Sequence, residues 1–292
     1  VWVTCLTQAT RWPETGTIKS LKNLDKSQSQ HKSLSIRICS DGLSFCVYSP
    51  SADTPYQYKS LPPRPVVSIA ANLKEALMSE PILKDKYQRV NVLISTPTFT
   101  TIPAVAFDRE VIDDVYGFLF PNHSNTHVSY NVLRRSGIAI VFGMDKNVYK
   151  LILDDFPQAR FYASASTLIE FFSDQSSGIS QKKMYVYIHN KEMSVYCFHE
   201  GRMLFVNTYP VNGVNDCQYY IMGLWEQFGY NQLDDHIEIV DEGRMSQLLS
   251  EKIPYFIKNV RLLDRSDDFL YRVTSGQTDI PYDLQTLLVC GF

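Results

Sequence analysis

Two apolar, β-prone runs flank a short polar turn from Leu34 to Ser49, LSIRICSDGLSFCVYS, and the pattern returns without a gap from Met184 to His199, MYVYIHNKEMSVYCFH. Leu34 falls on Met184, Ile36 on Val186, Ile38 on Ile188, Leu43 on Met193, Ser44 on Ser194, Phe45 on Val195, Val47 on Cys197 and Tyr48 on Phe198. Each copy is a β-prone run, a short polar turn (Ser40-Asp41-Gly42, then Asn190-Lys191-Glu192) and a second β-prone run, which predicts a β-hairpin. After the first hairpin the pattern predicts a strand at Pro55 to Ser60, stopped by Leu61-Pro62-Pro63-Arg64-Pro65. A helix near Val66 to Glu80 follows, with Ile69, Leu73, Ala76 and Leu77 on one side, and then a strand at Val90 to Ser95. After the second hairpin come a strand at Met203 to Tyr209, a helix within Asn212 to Phe228 with Tyr219, Met222, Trp225 and Phe228 on its apolar side, and a strand at His236 to Val240. One order of elements occurs twice, which predicts a duplicated α/β chain.

Between the copies, Thr96 to Phe107 is expected to be extended, and Asp108 to cap a helix carrying Val111, Val115, Phe118 and Leu119. Strands at Thr126 to Arg134 and Gly137 to Met144, a helix at Asp145 to Phe156, a strand at Arg160 to Ala163 and a helix at Ala165 to Ser173 complete the first half. The polar stretch Ser173 to Lys183 reads as a linker. Beyond His236, Asp241-Glu242-Gly243 leads into a helix at Arg244 to Phe256, a strand at Asn259 to Leu263, an acidic segment and a last apolar run, Leu284 to Cys290. The expected division is a polar leader over 1–32, a first half over 33–175 with an insertion over about 96–172, and a second half over 176–292.

A chain of 292 residues with 45% hydrophobic and 20% charged residues can bury a core in each half. A formal net charge of −3 supplies no basic field for nucleic acid, and no run of apolar residues is long enough for a membrane span. The cysteines at 5, 39, 46, 197, 217 and 290 form no metal-binding spacing and no disulfide ladder; Cys39 and Cys46 are expected to face each other across the first hairpin as free thiols. A cytoplasmic protein is expected.

Two copies of a β-β-β-α-β unit with an insertion after the first resemble the actin-like superfamily of duplicated ribonuclease H-like domains, which includes the sugar kinases, FtsA and PilM. More narrowly, FVNTYPVNGVNDCQYYIMGLWEQFG and IEIVDEGRMSQLLSEKIPYFIKNV, together with Leu34 to Ser49 and the VLIS-TPTFTTIPAVAFD stretch, look like a Bacteroidetes family, domain of unknown function 3822. The resemblance implies the fold: α/β, two mixed β-sheets flanked by helices around a cleft. Superfamily members that hydrolyse ATP use three loops. The first strand carries an Asp and then small residues, so that backbone N–H groups approach phosphate; here Arg37 stands about where the Asp belongs and Cys39 where Gly is wanted, with Asp41 and Gly42 further along. The second loop, usually rich in glycine, reads Tyr187-Ile188-His189-Asn190-Lys191-Glu192, and the third, Val240-Asp241-Glu242-Gly243, keeps one glycine.

Loss at all three loops favours a non-catalytic actin-like scaffold, without cofactor or metal, that binds a protein partner or a second copy of itself, with the insertion as its interaction surface. The competing expectation is an ATP-binding enzyme or switch whose cleft is lined by Asp41, Gly42, Ser44, Asn190, Lys191, Asp241, Glu242 and Gly243, with Lys191 meeting phosphate and Asp41 holding Mg²⁺. The remaining candidates read as structural. His123 and His127 are expected in a solvated loop, His189 and His199 at opposite ends of one hairpin. The doublets Asp113-Asp114, Asp154-Asp155, Asp234-Asp235 and Asp267-Asp268 are expected at helix ends and loops rather than in a two-metal centre.

Overall fold

The computed structural model describes residues 32–49, 55–64, 66–241, 245–263 and 280–290, and for Asp241 the backbone alone. Residues 1–31 of the expected leader, Glu242, Gly243 and the doublet Asp267-Asp268 lie outside the described residues.

Strands β1 (Ser33–Cys39), β2 (Gly42–Tyr48), β3 (Tyr56–Leu61), β4 (Arg89–Ile94) and β8 (Arg160–Ala163) form one sheet in the order β3-β2-β1-β4-β8. Strands β9 (Lys182–His189), β10 (Glu192–His199), β11 (Arg202–Pro210), β12 (His236–Asp241) and β13 (Asn259–Leu262) form a second in the order β11-β10-β9-β12-β13. In both, the first three strands pair antiparallel and the last two continue parallel. Even the register agrees: Ile36 pairs with Phe45 and Val186 with Val195, the residues that superimpose in the two sequence patterns. A third sheet, β5-β7-β6, comes from β5 (Phe99–Pro103), β6 (Thr126–Leu133) and β7 (Ile138–Asp145).

Alternation along a strand sends successive side chains to opposite faces, and here it decides what lies in the middle of the molecule. Leu34, Ile36, Phe45 and Val92 share a core with Leu73 and Ala76 of α1 (Ile69–Ser79) and Val148 and Ile152 of α3 (Lys146–Asp155). Met184, Val186 and Ile188 pack with Ile221 and Leu224 of α5 (Val214–Gln227) and Leu249 of α6 (Met245–Lys252). The opposite faces of the two sheets meet α4 (Ser164–Ser176) and α7 (Tyr282–Cys290), which pack on each other. Cys46, Leu93 and Tyr162 cluster with Leu284 and Leu287 of α7, while Phe172 of α4 stacks on Tyr185 of β9 with ring centroids 4.1 Å apart. Burying each such large apolar side chain stabilises the fold by about 1.5–3 kcal/mol. Arg37 and Cys39 on β1 and Tyr187 and His189 on β9 therefore point into the middle layer.

The structure departs from the sequence expectations in several places. The stretch read as a linker is helical to Ser176 and strand from Lys182, with Ser173 and Ser176 buried and the Ser173 hydroxyl donating to the Gly201 carbonyl at 2.6 Å. Within 96–172, β8 joins the first sheet and α4 lies between the sheets. On α2 (Ile112–Leu119) the buried side is Ile112 and Tyr116, one turn apart, and Phe118 is 87% exposed. On α5 it is Cys217, Ile221, Leu224 and Trp225, whereas Tyr219 faces solvent; aromatic residues on both sides of this helix blur its period. Thr96 to Phe107 holds only β5 and a 3-10 turn, and Pro254, which has no N–H to donate, turns the end of the predicted Arg244 to Phe256 helix into another 3-10 turn. Cys39 pairs with Gly42 and Cys46 with Ser35, so the two thiols do not face each other, and none of the five described cysteines is in a disulfide. His127 lies on β6 and stacks on Tyr149 at 3.6 Å rather than in a solvated loop, and the His123 Nδ1 bonds the Phe120 carbonyl at 2.8 Å.

Candidate functional site at the meeting of the two hairpin turns

The hairpin of β1 and β2 turns through Ser40 and Asp41, and that of β9 and β10 through Asn190 and Lys191. Asn190 and Lys191 take φ of 42° and 62°, the left-handed pair that a two-residue hairpin needs for its strand twist. In the first hairpin the corresponding demand falls on Gly42, at φ 129°, where a Cβ would stand 2.3 Å from the Leu61 carbonyl oxygen. The two turns touch. The Asn190 side-chain amide donates to the Ser40 hydroxyl at 3.0 Å, and His189 Nε2 lies 2.7 Å from an Asp41 carboxylate oxygen.

Arg37 fills the space beneath them. Its side chain is 2% exposed, and its Nε donates to both oxygens of Asp283, at 2.8 and 2.9 Å. Nη1 reaches Asp41 at 3.2 Å, and Nη2 lies 3.1 Å from His189 Nε2. Asp283, in the first turn of α7, is fully buried and also accepts from the Ser164 hydroxyl at 3.0 Å. A buried arginine is thus held by one carboxylate from the end of the chain and another from the first hairpin turn, the kind of pairing a desolvated charge requires.

The proton positions follow from Asp41. Burial works to raise its pKa, but the hydrogen bond from His189 and the guanidinium of Arg37 outweigh it and hold the carboxyl well below the usual carboxylate range. A carboxylate only accepts, so His189 Nε2 carries the proton and donates it. The approach of Arg37 Nη2 to that nitrogen is then donor against donor and forms no hydrogen bond. The other ring nitrogen, Nδ1, faces Cys39 Sγ at 3.8 Å.

Two cavities flank the cluster. One of about 720 Å³ lies against the first sheet and is lined by Arg37, Asp41, Gly42, Ser44, Tyr58 and Pro281 among others. The second, of about 20 Å³, lies between the sheets beside Ser164, Tyr187, His189 and Glu192 and has room for one water. Burial there pushes the Glu192 carboxyl up.

Of the residues that the sequence put forward, Asp41, Gly42 and Ser44 share the larger cavity, with Ser44 buried on β2. Asn190 joins them through Ser40. Lys191 is exposed at the tip of its turn, and Asp241 ends β12. Sequence reasoning placed His189 at one end of its hairpin without a ligand role and passed over Asp283 and Ser164. A lone acid inside the apolar run of α7, and an arginine on an otherwise apolar strand, were the available signals that the two belong together. Asp235 is structural, as expected: its carboxylate accepts from the backbone N–H groups of Lys182 and Asn231, both at 2.7 Å.

Two sheets of one strand order, helices between them and paired hairpin turns at their junction are the architecture of the actin-like ATPase fold. A crystal structure of a Bacteroides thetaiotaomicron VPI-5482 protein with actin-like ATPase fold and unknown function is 30% identical to this chain; the match covers 91% of this chain and 99% of that one, with a TM-score of 0.78. The PilM-PilN type IV pilus biogenesis complex contains a chain that matches in fold alone, at 10% identity and a TM-score of 0.54 over 88% of this chain and 98% of that one. The model of the family described as "Protein of unknown function (DUF3822)" matches residues 21–260, and the chain belongs to that family. No curated protein matches it.

Proposed function

We propose that this chain is a non-catalytic actin-like scaffold, built from two duplicated halves over 33–175 and 176–292, that works by binding a protein partner or a second copy of itself. The observation that carries this reading is the Arg37 cluster. A nucleotide bound as in the ATP-hydrolysing members of the superfamily would need a gap between the two turns, small residues around it and an acid on the first strand. Here the turns are hydrogen-bonded to each other, and a guanidinium neutralised by Asp283 and hydrogen-bonded to Asp41 occupies the space. The residues present do not suit Mg²⁺-ATP in that position.

The insertion supports an interaction role through side chains such as Val105, 100% exposed, and Phe118. PilM, which shares the fold, occurs in a complex with PilN. Free cysteines suit a reducing compartment such as the cytoplasm, and no helix among the described residues is long and apolar enough to cross a membrane.

One observation favours the second reading, an ATP-dependent enzyme or switch: the cavity of about 720 Å³ beside Asp41, Gly42 and Ser44 falls in the size range of small-molecule sites. Phosphate release from Mg²⁺-ATP separates the two. The scaffold reading expects no turnover above that of buffer. Turnover lost on Asp41→Asn would replace it with the second.

A further inference from the structure

The equivalent last residues of β1 and β9 are Cys39 and His189, and they meet between the sheets. Cys39 Sγ, a ring nitrogen of His189 and a carboxylate oxygen of Asp41 lie within 4.8 Å of one another. Sulfur, imidazole and carboxylate together are a donor set for a borderline-soft cation. We propose that Cys39 and His189, with Asp41 behind the ring, form a site for a divalent cation of the Zn²⁺ class that clips the two hairpin turns together. The inference goes beyond the scaffold reading and does not depend on it, since the ion would bind whether or not nucleotide does.

Geometry selects the ligand atoms. Bonds of about 2.3 Å to sulfur and about 2.0–2.1 Å to nitrogen at a tetrahedral angle separate the two donors by about 3.6 Å, and Cys39 Sγ stands 3.8 Å from His189 Nδ1. Coordination through Nε2 would bring the ion against Arg37 Nη2, 3.1 Å from that nitrogen. With Nδ1 on the metal, Nε2–H donates to Asp41 at 2.7 Å, the carboxylate–histidine–metal arrangement that fixes tautomer and ring orientation. Solvent completes the coordination on the exposed Ser40 side of the turn.

Charge agrees with this choice. Arg37 and Asp283 cancel as an ion pair in which the Nε–H is shared between both carboxylate oxygens. The Asp41 carboxylate and a Cys39 thiolate, whose proton leaves to solvent as the metal binds, balance the two positive charges of the ion. The same three groups also have the order of a Cys–His–Asp nucleophile, but Cys39 is 1% exposed and does not line either cavity described above, so a substrate has no place to stand beside it.

The test uses the full chain. X-ray absorption at the zinc edge, with one equivalent of Zn²⁺ on the wild-type protein, is expected to show one sulfur and one imidazole in the first shell. A first shell of oxygen and nitrogen alone would overturn the proposal. Titration with Co²⁺ is expected to give a thiolate-to-cobalt charge-transfer band that Cys39→Ser and His189→Ala each remove, that Cys46→Ser leaves intact, and that Asp41→Asn shifts to about 10–100-fold higher metal concentration. A band that survives in Cys39→Ser, or no band at all in the wild type, also overturns it.

Discussion

Arg37 concentrates more of the molecule's logic than any other side chain, because it is a charge inside the middle layer. Removing one partner of a buried pair leaves the other uncompensated, at a cost of about 3–5 kcal/mol. Asp283→Ala is therefore expected to lower unfolding free energy by about that amount in urea denaturation, and Arg37→Met combined with Asp283→Leu to recover most of it. A loss below about 1 kcal/mol for the single variant would mean that Asp41 alone suffices to hold the guanidinium. Gly42 is constrained differently: a methyl group there meets the Leu61 carbonyl at 2.3 Å in a backbone conformation that L residues avoid. Gly42→Ala should cost about 1–3 kcal/mol, read as a lowered Tm. The sequence revealed Arg37 only as a departure from a motif, since its partner Asp283 lies 246 positions away and no local pattern links them.

At the scale of elements, α4 holds the two sheets to a common layer. Phe172 stacks on Tyr185 and Tyr282 at centroid distances of 4.1 and 6.2 Å and tilts against Tyr196 at 5.3 Å. Phe172→Ala is expected to destabilise by about 3–5 kcal/mol and to do so in a single transition, because the helix contributes to both halves; two separated unfolding transitions would show that the halves are independent. On α5, Gly223 is exposed with nothing within 4 Å of a built Cβ, so Gly223→Ala should stabilise by about 0.5–1 kcal/mol. The hairpins were legible in the sequence because β-prone runs on either side of a short polar turn are a local pattern, and the chain writes it twice. Helix faces were less legible. On α2 and α5 the aromatic and aliphatic residues exceed what one face can bury, and only the neighbouring sheets decide that Ile112 and Tyr116, or Ile221 and Leu224, go inward.

For the whole molecule, the repeated order of strands and the shared register make an actin-like architecture out of two similar sheets, and the junction between them holds Arg37, Cys39 and His189. The fold was legible because it rests on repetition. The state of the junction was not, because it depends on which side chains from four separate segments converge there. The central claim is that the junction is closed to nucleotide. Titration calorimetry of the full chain with Mg²⁺-ATP, repeated with Lys191→Ala, tests it most directly. The account predicts no saturable heat at millimolar nucleotide in either protein. Saturable binding in the wild type that weakens in Lys191→Ala would show that the turns part to admit a triphosphate, and would contradict it.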